Sequence, residues 1–569
     1  MNAKEDSLSD YDLQIKQRDL DKNLPQNSDL RKYLATKDET AKSPWQRFVA
    51  KPFQYRVSCG NYPRTLLVMP PMCLYEGSVK RVIPPLGLCY IAAYLENQGI
   101  EVDILDCIVE GLNCEESVGN GIWKFGMSEE AFRCFIREHD YEVVGFSMIY
   151  SSDLNNLYRY AELVKKEKPE TIVFAGGLHA SIYTEIFLKG ALRHGRSVVD
   201  FVIRGEGEKR VAYFLENLKE GIIDLHADGF AGWVDGKLFV NPQLEVIQNL
   251  DELPFPAYHK VPLARYFEHN VPFSPYPKGK RVMQILTSRG CPVGCTFCAS
   301  TNFNKSYRTR SADNVISEIK FYKSKYDIDE IQFADDNLTF NYKRSLEFFE
   351  RLRDCNLPWC TPNGIMVNTL TKDLLDLMID SGLYQITLSI DSGNAETLKN
   401  RHRKPVNLNQ IPNLMSYLED KQILMHGTLV VGMPGETEED IVQGFKYVEK
   451  LPFHSINVFI AQAIPGSELF EKAVLDGIIT YENALHIDTA KSTLELSDIE
   501  GTRLEELVES FLDRYNKKIY ARDPLNWHKK YVEHRERMAR ICIGKPSAIT
   551  SKIIEADQRG DTVQKYQVS

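Results

Sequence analysis

The chain has 569 residues and a mass of 65.2 kDa, enough for about three or four domains that each bury a core of their own. It contains 43% apolar and 26% charged residues, a balance that excludes a fibrous or largely disordered protein and favours an enzyme-sized globular body. The formal net charge of −10, without long blocks of like charge, gives no indication of nucleic-acid binding, so we expect no nucleic-acid partner.

The sequence does not indicate export or membrane insertion. No run of about 18 apolar residues occurs, and residues 1–10 are polar, without the apolar core of a signal peptide. We therefore expect a cytoplasmic protein without a membrane partner, whose twelve cysteines stay reduced. We expect three of the isolated cysteines to be small buried residues rather than ligands of a second cluster: Cys73, Cys89 and Cys107.

Residues 1–60 are rich in Asp, Lys, Asn, Gln and Ser, which indicates a polar N-terminal extension. Residues 61–220 then alternate between apolar strands and helices with apolar periodicity. The predicted strands are 65–69, 102–105, 143–147, 171–175 and 201–203. Strands separated by helices predict a Rossmann-like domain with an open parallel sheet, whose ligand site lies beyond the carboxyl ends of the strands.

Residues 221–280 are richer in Pro, Gly and aromatic residues, include a small hairpin near 233–238, and are assigned as a connector. A second series of strands and helices occupies residues 281–475. The predicted strands are 283–287, 330–333, 359–363, 385–390, 425–431 and 455–460. Six such units predict a partial (β/α)6 barrel, so the fold class is α/β. Residues 476–569 are predicted to be a helical C-terminal region and a tail.

Cys291, Cys295 and Cys298 directly follow the first predicted barrel strand, in a CxxxCxxC loop. Thiolates are the usual ligands of iron–sulfur clusters, and three of them on a four-iron cluster leave one iron open for a substrate or cofactor. A structural zinc site is a weaker alternative, because zinc calls for a fourth Cys or His nearby.

This loop, with Phe297 before its last cysteine, resembles the signature of the radical S-adenosylmethionine (SAM) superfamily. The resemblance implies that the three cysteines bind a [4Fe-4S] cluster, and that SAM on its open iron is cleaved to a 5′-deoxyadenosyl radical. It also implies an electron donor of the flavodoxin or ferredoxin type. The candidate SAM-binding residues are Phe297, Ser389, Asp391 and Lys404, although family members commonly have Glu at the position of Asp391.

Polar segments follow three of the predicted barrel strands, at residues 333–337, 389–393 and 432–436. The carboxyl ends of parallel strands share one edge, so these segments are expected near the cysteine loop. Asp335 and Asp336 either belong to this site or cap the following helix.

Three segments of the first domain, 84–88 (PPLGL), 175–179 (AGGLH) and 200–208 (DFVIRGEGE), occur in an order that resembles the cobalamin-binding domain of a large radical SAM subfamily. Paired glycines after a strand let the backbone approach a nucleotide base, and nearby serines can hydrogen-bond it. The alternative is a domain of this type that has lost its ligand. For His179, the last residue of AGGLH, the alternative is a structural, hydrogen-bonded role. The candidate cobalamin-binding residues are Ser147, Ser151, Gly176, Gly177, His179, Gly205 and Glu206.

Residues 224–229 fit the DxHxxG pattern by which methionine-synthase-like domains supply a histidine to cobalt. In those domains the motif follows the first strand, whereas here it comes about fifty residues after the glycine pair. We therefore predict that His226 is not a cobalt ligand and that cobalamin binds without a protein histidine. Met72 or Tyr75, in the loop after the first strand, is expected to pack on its lower face.

Together the two resemblances imply a class B-like, cobalamin-dependent radical SAM methyltransferase. Such an enzyme transfers a methyl group from SAM via methylcobalamin to an unactivated carbon, or to phosphorus, of a small-molecule biosynthetic intermediate. Cyclisation, ring rearrangement or oxidation with the same cofactors is the first alternative, and a methylthiotransferase or a non-catalytic cobalamin sensor is a further one. The substrate is expected between the two domains, with the C-terminal helices as a lid, and no residue is assigned a catalytic role.

Overall fold

The computed structural model describes residues 541–544 and residues 60–522, apart from gaps at 194–195, 225, 235–236, 243, 275–276, 304–305, 482–484, 486–490, 493 and 495. Residues 1–59 of the predicted extension, residues 523–540 of the predicted helical C-terminal region and the tail after residue 544 lie outside the described residues. The described chain forms two α/β units in sequence, as predicted.

The first unit is built on a seven-stranded sheet. Its strands are β1 (Thr65–Met69), β2 (Val102–Asp106), β3 (Val143–Ser147), β4 (Ile172–Gly176), β5 (Phe201–Ile203), β6 (Phe230–Val234) and β7 (Lys237–Val240). They lie in the order β7-β6-β5-β4-β3-β1-β2, and strands β1 to β5 are parallel to one another. Because the order reverses between β1 and β3, a crevice for a ligand is expected at their carboxyl ends.

Helices pack on both faces of this sheet, which explains why its central strands are apolar throughout. The helices are Leu86–Asn97, Cys107–Glu110, Glu129–Glu138, Leu154–Glu167, Leu178–Ile182, Thr184–Gly190 and Gly207–Lys219. The Rossmann-like fold predicted from the alternation is confirmed.

The hairpin β6–β7, which the sequence predicts within the connector, is the outer edge of this first sheet. β6 runs antiparallel to β5, with Val202 opposite Ala231. A second feature has no counterpart in the predictions: a small antiparallel sheet of Met72–Tyr75, Glu115–Gly119 and Ile122–Phe125. This small sheet holds the segment that follows β1.

The second unit is a partial barrel of six parallel strands, as predicted. They are β8 (Val282–Ile285), β9 (Glu330–Phe333), β10 (Trp359–Ile365), β11 (Leu383–Asp391), β12 (Leu424–Val431) and β13 (Ser455–Ile460). Each strand pairs with the next one along the chain. The main helices of this unit are Ala312–Tyr326, Tyr342–Leu352, Lys372–Asp380, Ile411–Asp420, Glu438–Val448 and Glu468–Leu475.

The starts of the barrel helices are set by local sequence. Ser311, Thr371 and Thr437 each accept a hydrogen bond from a backbone N–H of the first helical turn, which satisfies a donor that has no partner within the helix. Thr437 also forms a reciprocal capping box with Asp440. Such caps fix where each helix begins and therefore where the preceding loop at the carboxyl edge of the barrel ends.

The C-terminal part of the chain contacts both units. Helix Gly501–Arg522 packs on the barrel, where the ring of Phe511 stacks on Phe445 with centroids 4.1 Å apart. Residues 541–544 return to the first unit, where Cys542 forms an antiparallel bridge with Val79 and Ile543 is fully buried. No helix in the described ranges is long and apolar enough to cross a membrane.

Candidate active site between the two units

The three predicted cluster cysteines, Cys291, Cys295 and Cys298, lie on the loop after β8, at the carboxyl end of the barrel. Gly290 and Gly294 have φ angles of +88° and +76°, a left-handed conformation that glycine adopts without strain. All three thiols are half-buried, and the backbone N–H of Cys298 donates to the Cys295 carbonyl at 3.2 Å. The cysteines therefore share one tightly turned loop.

Burial and charge act on these thiols in opposite directions. Burial raises the pKa of Cys295 to about 12, whereas the Lys404 ammonium lowers it. Burial also raises the pKa of Cys291, whose Sγ lies 3.8 Å from Asn337 Nδ2. Thiols in such surroundings lose their protons when they coordinate a cation, so metal binding decides their charge.

Within the described residues, no three His, Cys, Asp or Glu side chains are close enough to hold a single metal ion. A four-iron cluster spreads its thiolate ligands over separate iron atoms, so it needs a wider spacing than one ion does. The three cysteines lie within eight residues of one tightly turned loop, which places them in one neighbourhood. The donor set fits a cluster with one open iron, and the assignment of Cys291, Cys295 and Cys298 as its ligands stays a prediction.

Residues predicted to bind SAM lie beside this loop. Asp391 ends β11 with a φ of +62°, and its Oδ2 accepts a hydrogen bond from Lys404 Nζ at 2.5 Å. Burial lowers the pKa of Lys404, but Asp391 and Cys295 more than offset this effect, so its pKa is raised. Ser389 is half-buried on the same strand, and Phe297 packs edge-on against a buried histidine ring, with centroids 5.3 Å apart. The contacts of these residues with SAM stay predictions.

The acidic pair after β9 does not cap the following helix, so that alternative is wrong. The Asp335 carboxylate accepts hydrogen bonds from Thr287 Oγ1 at 2.8 Å and from Thr287 N at 3.1 Å. The next helix, Tyr342–Leu352, is capped by Asn341 instead. Asp335 thus ties the carboxyl ends of β8 and β9 together, and Asp336 lines the cavity between the units.

This first cavity has a volume of about 440 Å³ and lies between the carboxyl ends of the first sheet and the cysteine loop. Gly177 has a φ of +104°, and a Cβ added there would lie 2.2 Å from the Met148 carbonyl oxygen. Only glycine fits this position, because a side chain there would collide with the backbone that directly follows β3. The predicted cobalamin-binding residues that line the cavity are Ser147, Gly176, Gly177, Gly205 and Glu206.

A second cavity, of about 520 Å³, lies at the carboxyl end of β1 and reaches the first barrel strand. Met72 and Tyr75, predicted to pack beneath the cobalamin ring, are in its wall together with Cys73. The two cavities share Leu86 and Gly87. The two cavities are therefore neighbours at the edge of the first sheet.

His179 lies in a chain of hydrogen bonds. Its Nδ1 is 2.8 Å from Ser151 Oγ, and its Nε2 is 2.6 Å from the hydroxyl of Tyr481, in the C-terminal part of the chain. Burial lowers the pKa of His179 to about 3, so the ring is neutral at physiological pH. Both ring nitrogens contact protein groups, which favours the structural role for His179. Cobalamin contacts of Ser151 and His179 stay predictions.

His226 is exposed and packs edge-on against Phe239 of β7, with ring centroids 5.2 Å apart. It lies at the far edge of the first sheet from the loop after β1, in agreement with the prediction that it is not a cobalt ligand. Cys89 and Cys107 are buried as predicted, whereas Cys73 is only half-buried.

Glu206 has partners that the sequence does not indicate. Its carboxylate forms ion pairs with Arg289 and Arg308, which flank the cysteine loop, and accepts a hydrogen bond from Ile247 N at 2.6 Å. Burial alone would raise the pKa of Glu206, but the two arginines more than offset it, so the pKa is lowered. The carboxylate is therefore held as an anion between the two units, and a contact with cobalamin stays a prediction.

Comparison with known proteins gives the same two units. A family model described as the B12 binding domain matches residues 73–215, and one described as the radical SAM superfamily matches residues 285–448. The solved structure of the cobalamin-dependent S-adenosylmethionine radical enzyme OxsB, with aqua-cobalamin and S-adenosylmethionine bound, has the same fold. It covers 88% of this chain and 75% of its own, with a TM-score of 0.61 at 14% identity.

Two relatives cover most of the chain. A cytidylyl-2-hydroxyethylphosphonate methyltransferase of Streptomyces wedmorensis is 33% identical over 81% of this chain and 91% of its own length. An uncharacterized methyltransferase of Pyrococcus horikoshii is 26% identical over 82% of this chain and 95% of its own length.

The fold, the cysteine loop and the glycine-lined cavity thus define a radical SAM enzyme with an attached cobalamin-binding unit. The chain belongs to the cobalamin-dependent radical SAM enzymes, and among them it is a methyltransferase. Its cofactors are a [4Fe-4S] cluster, SAM and cobalamin. The predictions of family, fold class, cofactors and methyl transfer are confirmed.

Proposed function

We propose that the methyl acceptor is a small nucleotide-linked phosphonate, of the kind named for the Streptomyces relative, and that a carbon atom receives the methyl group. The observation that carries this proposal is the 33% identity along 91% of that relative. The cavities support it, because they provide about 440 Å³ and 520 Å³ of space where the two units meet. An acceptor there lies near both the cysteine loop and the cobalamin-binding edge of the sheet.

One cation in the second cavity suits an anionic acceptor. Arg81 lines that cavity, and its Nη1 donates to the Pro272 carbonyl oxygen at 2.6 Å, which orients the guanidinium. A planar guanidinium can bind a phosphonate or phosphate with two parallel hydrogen bonds. We assign Arg81 the role of holding the anionic end of the acceptor.

The remaining roles in this proposal follow the predicted site. Cys291, Cys295 and Cys298 hold the cluster, which supplies the electron for SAM cleavage when it is bound. Lys404 and Asp391 form an ion pair without net charge beside the cysteine loop. This pair offers both a hydrogen-bond donor and an acceptor to the amino acid part of SAM. The reducing electron comes from a flavodoxin or ferredoxin, and the enzyme works in the cytoplasm, where its many cysteines remain reduced.

The proposal is tested with anaerobically reconstituted enzyme, trideuteromethyl SAM and cytidylyl-2-hydroxyethylphosphonate. We expect a deuterated methyl group in the product by mass spectrometry, with S-adenosylhomocysteine and 5′-deoxyadenosine formed in about equal amounts, because methyl supply and hydrogen abstraction use separate SAM molecules. Free 2-hydroxyethylphosphonate is the matched control for the nucleotide part. Arg81→Gln should raise the KM for the acceptor and leave cofactor content unchanged.

Two outcomes contradict parts of this proposal. If no phosphonate receives deuterium while the enzyme still cleaves SAM, the proposed acceptor is wrong and the cofactor assignment stands. If the phosphonate is consumed and 5′-deoxyadenosine is formed without a labelled methyl group, cyclisation, rearrangement or oxidation replaces methyl transfer.

A further inference from the structure

Two arginines close the base of the cysteine loop. The short strands Ser288–Arg289 and Arg308–Thr309 pair in antiparallel fashion, with Arg289 directly opposite Arg308. Residues 290–307 lie between them and contain all three cluster cysteines. A group that binds both arginines therefore fixes both ends of the loop.

Glu206 of the first unit binds both. Its Oε1 lies 3.0 Å from Arg289 Nη1 and 2.9 Å from Arg308 Nη2, and its Oε2 lies 2.9 Å from Arg308 Nη1. Glu208 takes the other branch of Arg289, with Oε1 2.5 Å from Nη2. Both terminal nitrogens of the Arg308 guanidinium thus bind Glu206. The two arginines and the two glutamates together carry no net charge.

This charged contact is nearly dry. The exposed fractions of the side chains are 7% for Glu206, 5% for Glu208, 13% for Arg289 and 5% for Arg308. Removing four charges from water costs about as much free energy as their attraction returns, so stability alone does not explain the contact. Forked, charge-assisted hydrogen bonds do fix direction and distance, which apolar packing fixes less strictly.

The same segment faces the cobalamin-binding cavity. Gly205, Glu206, Gly207 and Glu208 lie in the wall of the 440 Å³ cavity, beside the glycine pair at the end of the neighbouring strand β4. One four-residue segment therefore touches the expected place of one cofactor and holds the loop that binds the other.

We propose that Glu206 is a positioning residue that sets the cysteine loop relative to the cobalamin cavity by acting through Arg289 and Arg308. It is not a ligand of either cofactor in this role. The inference rests on the two cofactors assigned above but not on the proposed methyl acceptor, and its test uses no acceptor.

The test compares Glu206→Gln, which keeps the size of the side chain and removes its charge, with Glu252→Gln. Glu252 is the matched control, because it forms an exposed ion pair, 2.9 Å long, with Lys209, which lies on the same helix as Glu208. Both variants and the parent enzyme are loaded with iron, sulfide and cobalamin. Pulsed electron paramagnetic resonance then measures the dipolar coupling between cob(II)alamin and the reduced cluster, which reports their separation without turnover.

We expect Glu206→Gln to bind iron and corrin as the parent does, but to show a shifted or broadened distance distribution. Incubated with SAM and a chemical reductant but no methyl acceptor, it should form about tenfold less S-adenosylhomocysteine per 5′-deoxyadenosine, since a displacement of about 1 Å is enough to slow a reaction between held groups. Glu252→Gln should match the parent in both measurements. Arg308→Lys, which keeps the charge but loses the fork, should change both in the same direction and by less.

A parent-like distance distribution and product ratio in loaded Glu206→Gln would overturn the proposal. So would a loss of cofactor content and melting temperature together, with an unchanged distance in the loaded fraction, because that result describes a structural role only. If Glu206→Gln does not fold, Arg308→Lys decides the question by the same criterion, and an unchanged distance in that variant overturns the proposal.

Discussion

Among the polar contacts that join the cobalamin-binding unit to the rest of the described chain, two are built from different chemistry. The charged contact, Glu206 and Glu208 with Arg289 and Arg308, reaches the base of the cysteine loop. The neutral contact, Ser151, His179 and Tyr481, reaches the C-terminal part of the chain. Both are buried, yet only the first carries charge.

The difference separates two tasks. The neutral contact satisfies buried polar groups at low cost, since an uncharged imidazole and two hydroxyls need only one another. In the charged contact, burial of the charges costs a large desolvation free energy, and the forked hydrogen bonds fix the geometry. The charged contact thus lies where two cofactors must be held at a set separation. The neutral contact lies where only the position of the chain has to be fixed.

The largest expected effect comes from the loop that the charged contact holds. Cys291→Ala, Cys295→Ala and Cys298→Ala should each abolish SAM cleavage, because two thiolates cannot hold a four-iron cluster with one open iron. Iron content and 5′-deoxyadenosine formation under reducing conditions measure this. Cys114→Ala, at an exposed cysteine, should keep both, and an equal loss of iron in all four variants would contradict the ligand assignment.

Breaking the charged contact should reduce stability strongly. Arg289→Ala leaves Glu208 and part of Glu206 buried without a counter-charge, so we expect the free energy of unfolding to fall by about 3–5 kcal/mol. Urea unfolding measures the change. Arg281→Ala removes an exposed arginine paired with Asp327 and should change the midpoint little. Equal midpoints for the two variants would show that the contact is not dry in solution.

Breaking the neutral contact should cost less. Tyr481→Phe removes the hydroxyl that lies 2.6 Å from His179 Nε2, which leaves that buried nitrogen without this partner. We expect a loss of about 1–3 kcal/mol in the free energy of unfolding. Tyr213→Phe, which removes an exposed hydroxyl bonded to Asp224 at 2.9 Å, is the control and should be nearly neutral. A Tyr481→Phe variant as stable as this control would contradict the contact.

The smallest expected effect is a pH dependence of the neutral contact. In the folded protein the pKa of His179 is lowered to about 3, whereas an unfolded histidine takes up its proton near pH 6.5. As pH falls from 6.5 towards 3, the unfolded state binds the additional proton, so stability is lost on acidification. Between pH 6 and pH 5 the loss amounts to about 1 kcal/mol.

His179→Gln should lack this component, and unfolding curves at both pH values measure it. His226→Gln, at an exposed histidine, is the control for the replacement of a histidine by glutamine. If the parent and His179→Gln lose the same stability between pH 6 and pH 5, the ring is not held neutral in the folded protein.

Much of the fold follows from local patterns. Strands β1 and β5 have the predicted bounds, 65–69 and 201–203, because each is a short, largely apolar run that the following residues end. The cysteine loop is equally local, since all its chemistry lies within eight residues. Such features depend on neighbours along the chain, and a single sequence contains them.

The rest depends on pairings between distant residues. No residue near Glu206 in the sequence indicates its partners, which lie 83 and 102 positions further along the chain. The sequence therefore predicts that the Glu206 carboxylate contacts a cofactor, whereas in the structure it binds two arginines. His179 and Tyr481 are separated by 302 positions. Likewise, β6–β7 looks like a hairpin in a connector until its pairing with β5 places it in the sheet.

The return of residues 541–544 to the first unit has a consequence for biosynthesis. Ile543 is fully buried among side chains of the cobalamin-binding unit, and its backbone N–H donates to the Ser78 carbonyl at 2.9 Å. A ribosome must therefore finish almost the whole polypeptide before the domain made first can complete its core. Until then the cobalamin-binding unit lacks part of its core beside its ligand crevice. A chaperone or the cofactor itself can reach this exposed part of the core.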